Sequence, residues 1–184
     1  MDRSTIIAGF GGQGILFAGT VLARAAMTEG QQVLWIPSYG PEMRGGTASC
    51  TVIVGDTEIG SPVVDRADAV VALNPPSLAK FESIVAPGGV LVVNTSLIEA
   101  EPARTDIEIV HVPCTSLARS AGDDKLVSVV ALGALLARRE LVAISSVRDA
   151  IAAIVQAKRP QILAADLAAL EAGFRAALEV PVLA

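Results

Sequence analysis

Gly9-Phe10-Gly11-Gly12-Gln13-Gly14 is the stretch on which the fold turns. A short apolar run, Ile6-Ile7-Ala8, precedes it. Behind it Ile15, Ala18, Leu22, Ala25 and Ala26 recur at the spacing of one helix face. Strand, glycine turn and helix in that order open a doubly wound α/β domain. The glycines permit positive φ and close approach of another group to the backbone. The N–H groups at the helix start favour an anion. The loop therefore offers either a phosphate-sized site or a surface on which another backbone can dock.

The spacing Gly9-x-Gly11-x-x-Gly14 also fits the dinucleotide fingerprint. That fingerprint needs an Asp or Glu at the end of the second strand, about 20 residues on, to hold a ribose hydroxyl. Here the second strand spans residues 32–36 and runs into Pro37-Ser38, with no carboxylate between Glu29 and Glu42. An autonomous NAD(P)-binding oxidoreductase is the alternative that this missing partner counts against.

The chain has 184 residues, and 52% are hydrophobic but only 3% aromatic. A core of Ala, Val, Leu and Ile suits buried parallel strands and closely packed helices. One domain over residues 1–184 is expected, since neither a repeat nor a linker interrupts the pattern. A net charge of -5 argues against a nucleic-acid surface. Arg138-Arg139 and Lys158-Arg159 read as solvated helix ends. No apolar run reaches membrane-spanning length and no charged leader precedes one, so a cytoplasmic protein away from membranes is expected. Cys50 and Cys114 form no CxxC and read as reduced packing residues, so no metal site is expected.

Further along, Gly30 is placed to end the first helix. The segment Ser38-Tyr39-Gly40-Pro41-Glu42-Met43-Arg44-Gly45-Gly46 is too rich in Gly and Pro for regular structure. It carries Arg44, Glu42 and the chain's one Tyr, so it reads as a binding loop. Residues 47–54 alternate as a half-buried strand, with Ala48, Cys50, Val52 and Val54 on one side. Gly55-Asp56 reads as a type II′ turn, with residues 57–59 returning as an antiparallel addition. Strands follow at 69–73, 90–93 and 107–112. Asn74-Pro75 reads as N-cap and first helical residue. Asn94-Thr95-Ser96 sits at a strand's carboxyl end. A buried helix is expected over 125–138, and Ser146 with Asp149 resembles a capping box. A last helix from Pro160 should bury Leu163, Leu167, Leu170, Phe174 and Leu178. The fold expected is thus Rossmann-like α/β: a mainly parallel sheet with an antiparallel hairpin addition and helices on both faces.

Catalytic machinery is not visible. His111, the chain's one histidine, lies inside a strand pattern and reads as structural. No nucleophile elbow precedes it, and the glycine loop lacks a P-loop ending. Trp35 at a strand end reads as packing, with an interface role as the alternative.

The glycine loop together with Ser38-Tyr39-Gly40-Pro41-Glu42-Met43-Arg44-Gly45-Gly46 closely resembles the gamma subunit of 2-oxoacid:ferredoxin oxidoreductases. The equivalent domain occurs in pyruvate:ferredoxin oxidoreductase and in the beta subunit of indolepyruvate oxidoreductase, which is the nearest alternative assignment. The similarity continues through Ile59-Gly60-Ser61-Pro62, Ala67-Asp68, Leu132-Gly133-Ala134 and the Gly173 region. Ser128 and Asp166 stand where the family usually or often has Asn. The resemblance implies a complex that turns 2-oxoacid, coenzyme A and oxidised ferredoxin into acyl-CoA, CO2 and reduced ferredoxin, with 2-oxoglutarate suggested by chain length. It implies alpha and thiamine-binding beta subunits and a ferredoxin-like subunit as partners, carrying thiamine diphosphate, Mg and iron–sulfur clusters. It implies no catalytic or cofactor-loaded centre in this chain alone. The expected contacts are Gly9, Gly11, Gly12, Gln13 and Gly14 toward coenzyme A, and Ser38, Tyr39, Gly40, Pro41, Glu42, Arg44, Gly45 and Gly46 toward coenzyme A or a partner. Arg44 is the cation suited to a phosphate or carboxylate.

Overall fold

The computed structural model describes residues 2–39, 47–156 and 160–180. Its strands are β1 (Arg3–Phe10), β2 (Gln32–Tyr39), β3 (Thr47–Gly55), β4 (Ala67–Ala72), β5 (Val85–Asn94) and β6 (Glu108–Val112). Its α-helices are α1 (Ile15–Thr28), α2 (Pro75–Phe81), α3 (Cys114–Ala121), α4 (Val127–Arg138), α5 (Ile144–Gln156) and α6 (Leu163–Glu179). The six strands form one sheet in the order β2-β3-β1-β4-β5-β6. β1, β4, β5 and β6 are mutually parallel, while β3 runs antiparallel to both β1 and β2.

The mainly parallel α/β sheet is as expected, but its antiparallel part is built differently. Gly55 ends β3 without a positive φ, and residues 57–59 form no strand. The type II′ hairpin is therefore absent. β3 instead pairs backward with β2, Tyr39 opposite Ala48 and Gln32 opposite Gly55. β2 also continues through Pro37 and Ser38, beyond the expected end at Ile36. Proline survives there because β2 is an edge strand with one neighbour. Similarly, β5 runs through Pro87-Gly88-Gly89; a register shift against β4 and a φ of 73° at Gly88 absorb the irregularity.

The two faces carry unequal layers. One core holds the buried sides of α1, α3, α4, α5 and α6 against Ile7, Val52, Val71, Val92 and Val110. The other holds α2 through Leu78 and Phe81, with Ile98 and Ile107, against Ile6, Val70 and Leu91. The expected face of α1 is buried in full. Gly30, with φ 80°, follows its C-cap Glu29 and donates its N–H to the Met27 carbonyl at 3.0 Å. Asn74 caps α2 as expected, its Oδ1 accepting from the Ser77 N–H at 2.8 Å.

Three helix details depart from expectation. A 3-10 turn, Asp124–Leu126, precedes α4. α5 begins at Ile144, so Ser146 lies inside the helix and not at its cap. On α6 the buried residues are Asp166, Ala169, Leu170, Gly173 and Ala177, whereas Leu178 is 58% exposed. Small residues take this face because α6 lies directly against α4. A Cβ on Gly173 would overlap the Val130 carbonyl, and one on Gly133 would overlap that of Leu170. Val129 and Asp166 near the helix starts share a cavity wall, and Arg138 Nε donates to the Ala177 carbonyl at 3.0 Å near their ends. The two helices are thus in close main-chain contact. Arg138 is correspondingly not a solvated helix end: it closes the last turn of α6 and sits 3.3 Å from Glu108 of β6. Lys158-Arg159 lies outside the described residues.

Candidate functional site

The parallel strands end at Phe10, Ala72, Asn94 and Val112, which places their carboxyl ends on one edge of the sheet. In α/β sheets this edge is where ligands bind. The glycine loop leaves β1 at one corner of it. Gly9 and Phe10 still belong to β1, opposite Ala48 and Thr47. A Cβ at Gly9 would overlap Gln13 Oε1 and come within 2.8 Å of Ile15 Cδ1, so only glycine lets the loop fold back this tightly. Gln13 closes it: its Oε1 accepts from the Phe10 N–H at 2.6 Å and its N–H donates to the Phe10 carbonyl at 3.2 Å. Gly12 and Gly14 take φ values of 97° and 79°, where other residues are strained. Gly14 is the N-cap of α1 and offers no capping side chain. Gly11, Gly12 and Gly14 line a cavity.

The second predicted segment arrives at the same corner. Ser38 and Tyr39 end β2, opposite Ser49 and Ala48, and Thr47 opens β3 opposite Phe10. Both ends of the loop are therefore adjacent strand positions to the glycine turn. Gly40, Pro41, Glu42, Arg44, Gly45 and Gly46 lie outside the described residues.

The cavity beside the glycine loop has a volume of about 720 Å³ and runs between α1, α5, α6 and the turn before α4. Phe10, Phe17, Ile154 and Ile162 make it largely apolar, while Asp123, Lys125 and Asp166 add charge. Asp166 is 2% exposed, and its Oδ2 has no hydrogen-bond partner. Burial, and secondarily the Asp123 carboxylate, hold its pKa above the usual 3.8. The native state thus binds more protons than the unfolded chain between 3.8 and the raised value, and stability falls as pH rises through that window. Asp166→Asn should remove this slope and raise stability near neutral pH by about 1 kcal/mol. Urea titrations of both proteins at pH 4 and pH 7 check it; equal pH dependence would show that Asp166 is solvated.

Other candidates resolve into structural roles. Asn94 is fully buried and donates to the Leu73 carbonyl at 3.1 Å and to Thr115 Oγ1 at 3.0 Å, tying β5 to its neighbours. His111 Nε2 lies 3.4 Å from Glu101. Cys50 and Cys114 are fully buried, and burial pushes each thiol up to about 12, so both are packing groups. Cys50 and Trp35 both cover Gly19: a Cβ there would approach Cys50 Sγ at 2.5 Å and Trp35 Nε1 at 2.8 Å. Sequence reasoning treated Asp166 only as a family departure. Its signal was a carboxylate in register with Leu170 on an apolar helix face. It did not single out Ser77 or Lys80 of α2, which line a second cavity beside Ser38.

Residues 4–176 match the family described as pyruvate ferredoxin/flavodoxin oxidoreductase. The chain is 36% identical over 175 residues to the 2-oxoglutarate synthase subunit KorC of Methanothermobacter thermautotrophicus, covering 91% of this chain and 90% of that one. It is 44% identical over 131 residues to the ketoisovalerate oxidoreductase subunit VorA of the same organism; this match covers 71% of the chain but 27% of that longer protein. A crystal structure of the gamma subunit of a keto/oxoacid ferredoxin oxidoreductase from Geobacter sulfurreducens superposes with a TM-score of 0.83 at 28% identity, covering 97% of this chain and 99% of that one.

Proposed function

The chain belongs to the pyruvate ferredoxin/flavodoxin oxidoreductase family, and we propose that it is the gamma-type subunit of a 2-oxoacid:ferredoxin oxidoreductase. It acts as one domain that packs on the catalytic subunits and helps position coenzyme A. The complex oxidatively decarboxylates the 2-oxoacid, transfers the acyl group to the coenzyme A thiol, releases CO2 and passes two electrons to ferredoxin. 2-Oxoglutarate is the substrate favoured, because a relative that is 36% identical and matched over 90% of its own length is a 2-oxoglutarate synthase subunit.

The observation that carries this reading is the corner of the carboxyl edge, where the glycine loop and both ends of the 38–46 segment are neighbours in the β1–β3–β2 ladder. What supports placing the clusters on other subunits is the donor chemistry of this chain. A cluster needs accessible thiolates, and Cys50 and Cys114 are buried thiols pushed up to about 12. Thiamine diphosphate with Mg needs grouped oxygen ligands; the described residues gather no such set. The chain's own contribution is shape: a turn held shut by Gln13, rigid on a buried sheet, against which coenzyme A and a partner backbone align. Magnesium, clusters and thiamine diphosphate accordingly belong to the alpha, beta and ferredoxin-like partners. The setting is cytoplasmic, consistent with no described helix being long and apolar enough to cross a membrane.

Affinity-tagged chain, co-expressed with the thiamine-binding and cluster-bearing subunits, should retain them through purification. The chain expressed alone should show no 2-oxoacid-dependent reduction of an acceptor. Activity of the lone chain, or failure to retain either partner, would refute the assignment.

A further inference from the structure

Two cavities flank the tip where β1 pairs with β3, and Ala48 borders both. Their electrostatics differ. The α1 side sets Asp123 and the buried Asp166 carboxyl beside Lys125, so it offers no excess of positive charge to an anion. The α2 side is a smaller cavity of about 220 Å³, lined by Ser38, Thr47, Ser49, Ser77 and Lys80 with Phe81. Among its described lining residues Lys80 is the one charged group, although the whole chain carries -5. The ammonium rests 4.9 Å from the centre of the Phe81 ring, and both residues line the cavity.

Two buried polar groups at the start of α2 are incompletely satisfied, and of these Ser77 lines the cavity. Ser77 is 2% exposed, and its Oγ has no hydrogen-bond partner. Fully buried Asn74 spends its Oδ1 on the Ser77 N–H, while its Nδ2 has no partner. A buried unsatisfied polar group costs about 1–3 kcal/mol, and a hydroxyl turns about its C–O bond to meet an acceptor. Among the described lining residues one cation, the hydroxyls of Ser38, Thr47, Ser49 and Ser77, and no carboxylate form a donor set without a charged acceptor to match. The volume holds a tetrahedral oxyanion with a few waters, at about 30 Å³ per water.

We propose that the cavity between β3 and α2 is a binding site for a phosphate-class oxyanion, held by Lys80 through charge and by Ser77, Ser49 and Thr47 through their hydroxyls. The site stands on its own geometry; only the identification of the phosphate with one belonging to coenzyme A rests on the proposed function. The phosphate is thereby assigned to the opposite side of the sheet from the cavity beside the glycine loop.

Calorimetric titration of the full chain with inorganic phosphate tests it. Saturable binding is expected, weakened about tenfold in Lys80→Gln and about threefold in Ser77→Ala. Lys80 is exposed and Ser77 Oγ unpartnered, so circular dichroism should show both variants folded. Absence of saturable binding, or binding undiminished in both variants, overturns the proposal. Competition by coenzyme A supports the site as a coenzyme phosphate subsite. Phosphate binding that coenzyme A leaves unchanged supports it as a site for another phosphate bearer, while the subunit assignment is decided separately by co-purification.

Discussion

Gly173→Ala should cost the chain a large part of its stability. By helix propensity alone this change stabilises by about 1 kcal/mol, because alanine loses less backbone freedom than glycine. Packing reverses the sign. The new Cβ would overlap the Val130 carbonyl oxygen and lie 2.6 Å from its carbon. The obstacle is main chain, so no rotamer change relieves it. α4 and α6 must part, and separation opens voids around Leu132, Leu135 and Leu170, each at most 1% exposed. A loss of about 3–5 kcal/mol follows, against a total stability of about 5–15 kcal/mol. Gly60→Ala is the control, since nothing lies within 4 Å of its Cβ position and its φ is unexceptional. Urea unfolding should place Gly60→Ala within about 0.5 kcal/mol of wild type. A Gly173→Ala protein as stable as that control would show that α4 and α6 are not in main-chain contact.

The second large effect is expected from Gly14→Ala, and it joins stability to function. Gly14 sits at φ 79°, which strains any other residue by about 1 kcal/mol. Its Cβ would stand 2.5 Å from Ser128 Oγ and 3.1 Å from the Lys125 carbonyl. Ser128 is 1% exposed and cannot swing into solvent. The sum is about 2–4 kcal/mol, and the relaxed structure moves the glycine turn away from α4. In the assembled complex KM for coenzyme A should rise about tenfold or more as that turn shifts. Adding Ser128→Ala removes the nearest obstacle and leaves the carbonyl at 3.1 Å and the residue 128 Cβ at 3.7 Å. The double variant should therefore recover part of the stability, a coupling a double-mutant cycle measures. No coupling would mean the turn does not bear on Ser128.

Local chemistry made the glycine turn, α1 and the Asn74 cap readable from sequence, since each depends on neighbours a few residues away. The alternation in residues 47–54 correctly marked a strand. Its partner was misread because pairing is not local: β3 inserts between β1 and β2, and a hairpin with residues 57–59 would have to displace β1 or β2 from it. Pro37 looked like a strand terminator, but an edge position lacks the second ladder that proline would disrupt. On α6 large apolar residues drew the expected stripe toward Leu178, whereas the α4 contact selects Ala169, Gly173 and Ala177. Hydrophobicity ranks side chains by size, and close helix contact selects the opposite. Lys80 drew no reading, and Asp166 drew one only as a family departure, for a related reason. A single charge on a helix reads as solvated until packing shows what surrounds it.

The central claim is that this chain supplies a shaped edge for chemistry carried out on its neighbours. 2-Oxoglutarate-dependent ferredoxin reduction and succinyl-CoA formation test it most directly. They should be measured for the chain alone, for the remaining subunits without it, and for the reconstituted complex. The account predicts no turnover by the chain alone, and coenzyme A-dependent turnover that needs the chain to be present in the complex. Full turnover by the remaining subunits without the chain, at an unchanged KM for coenzyme A, would contradict it.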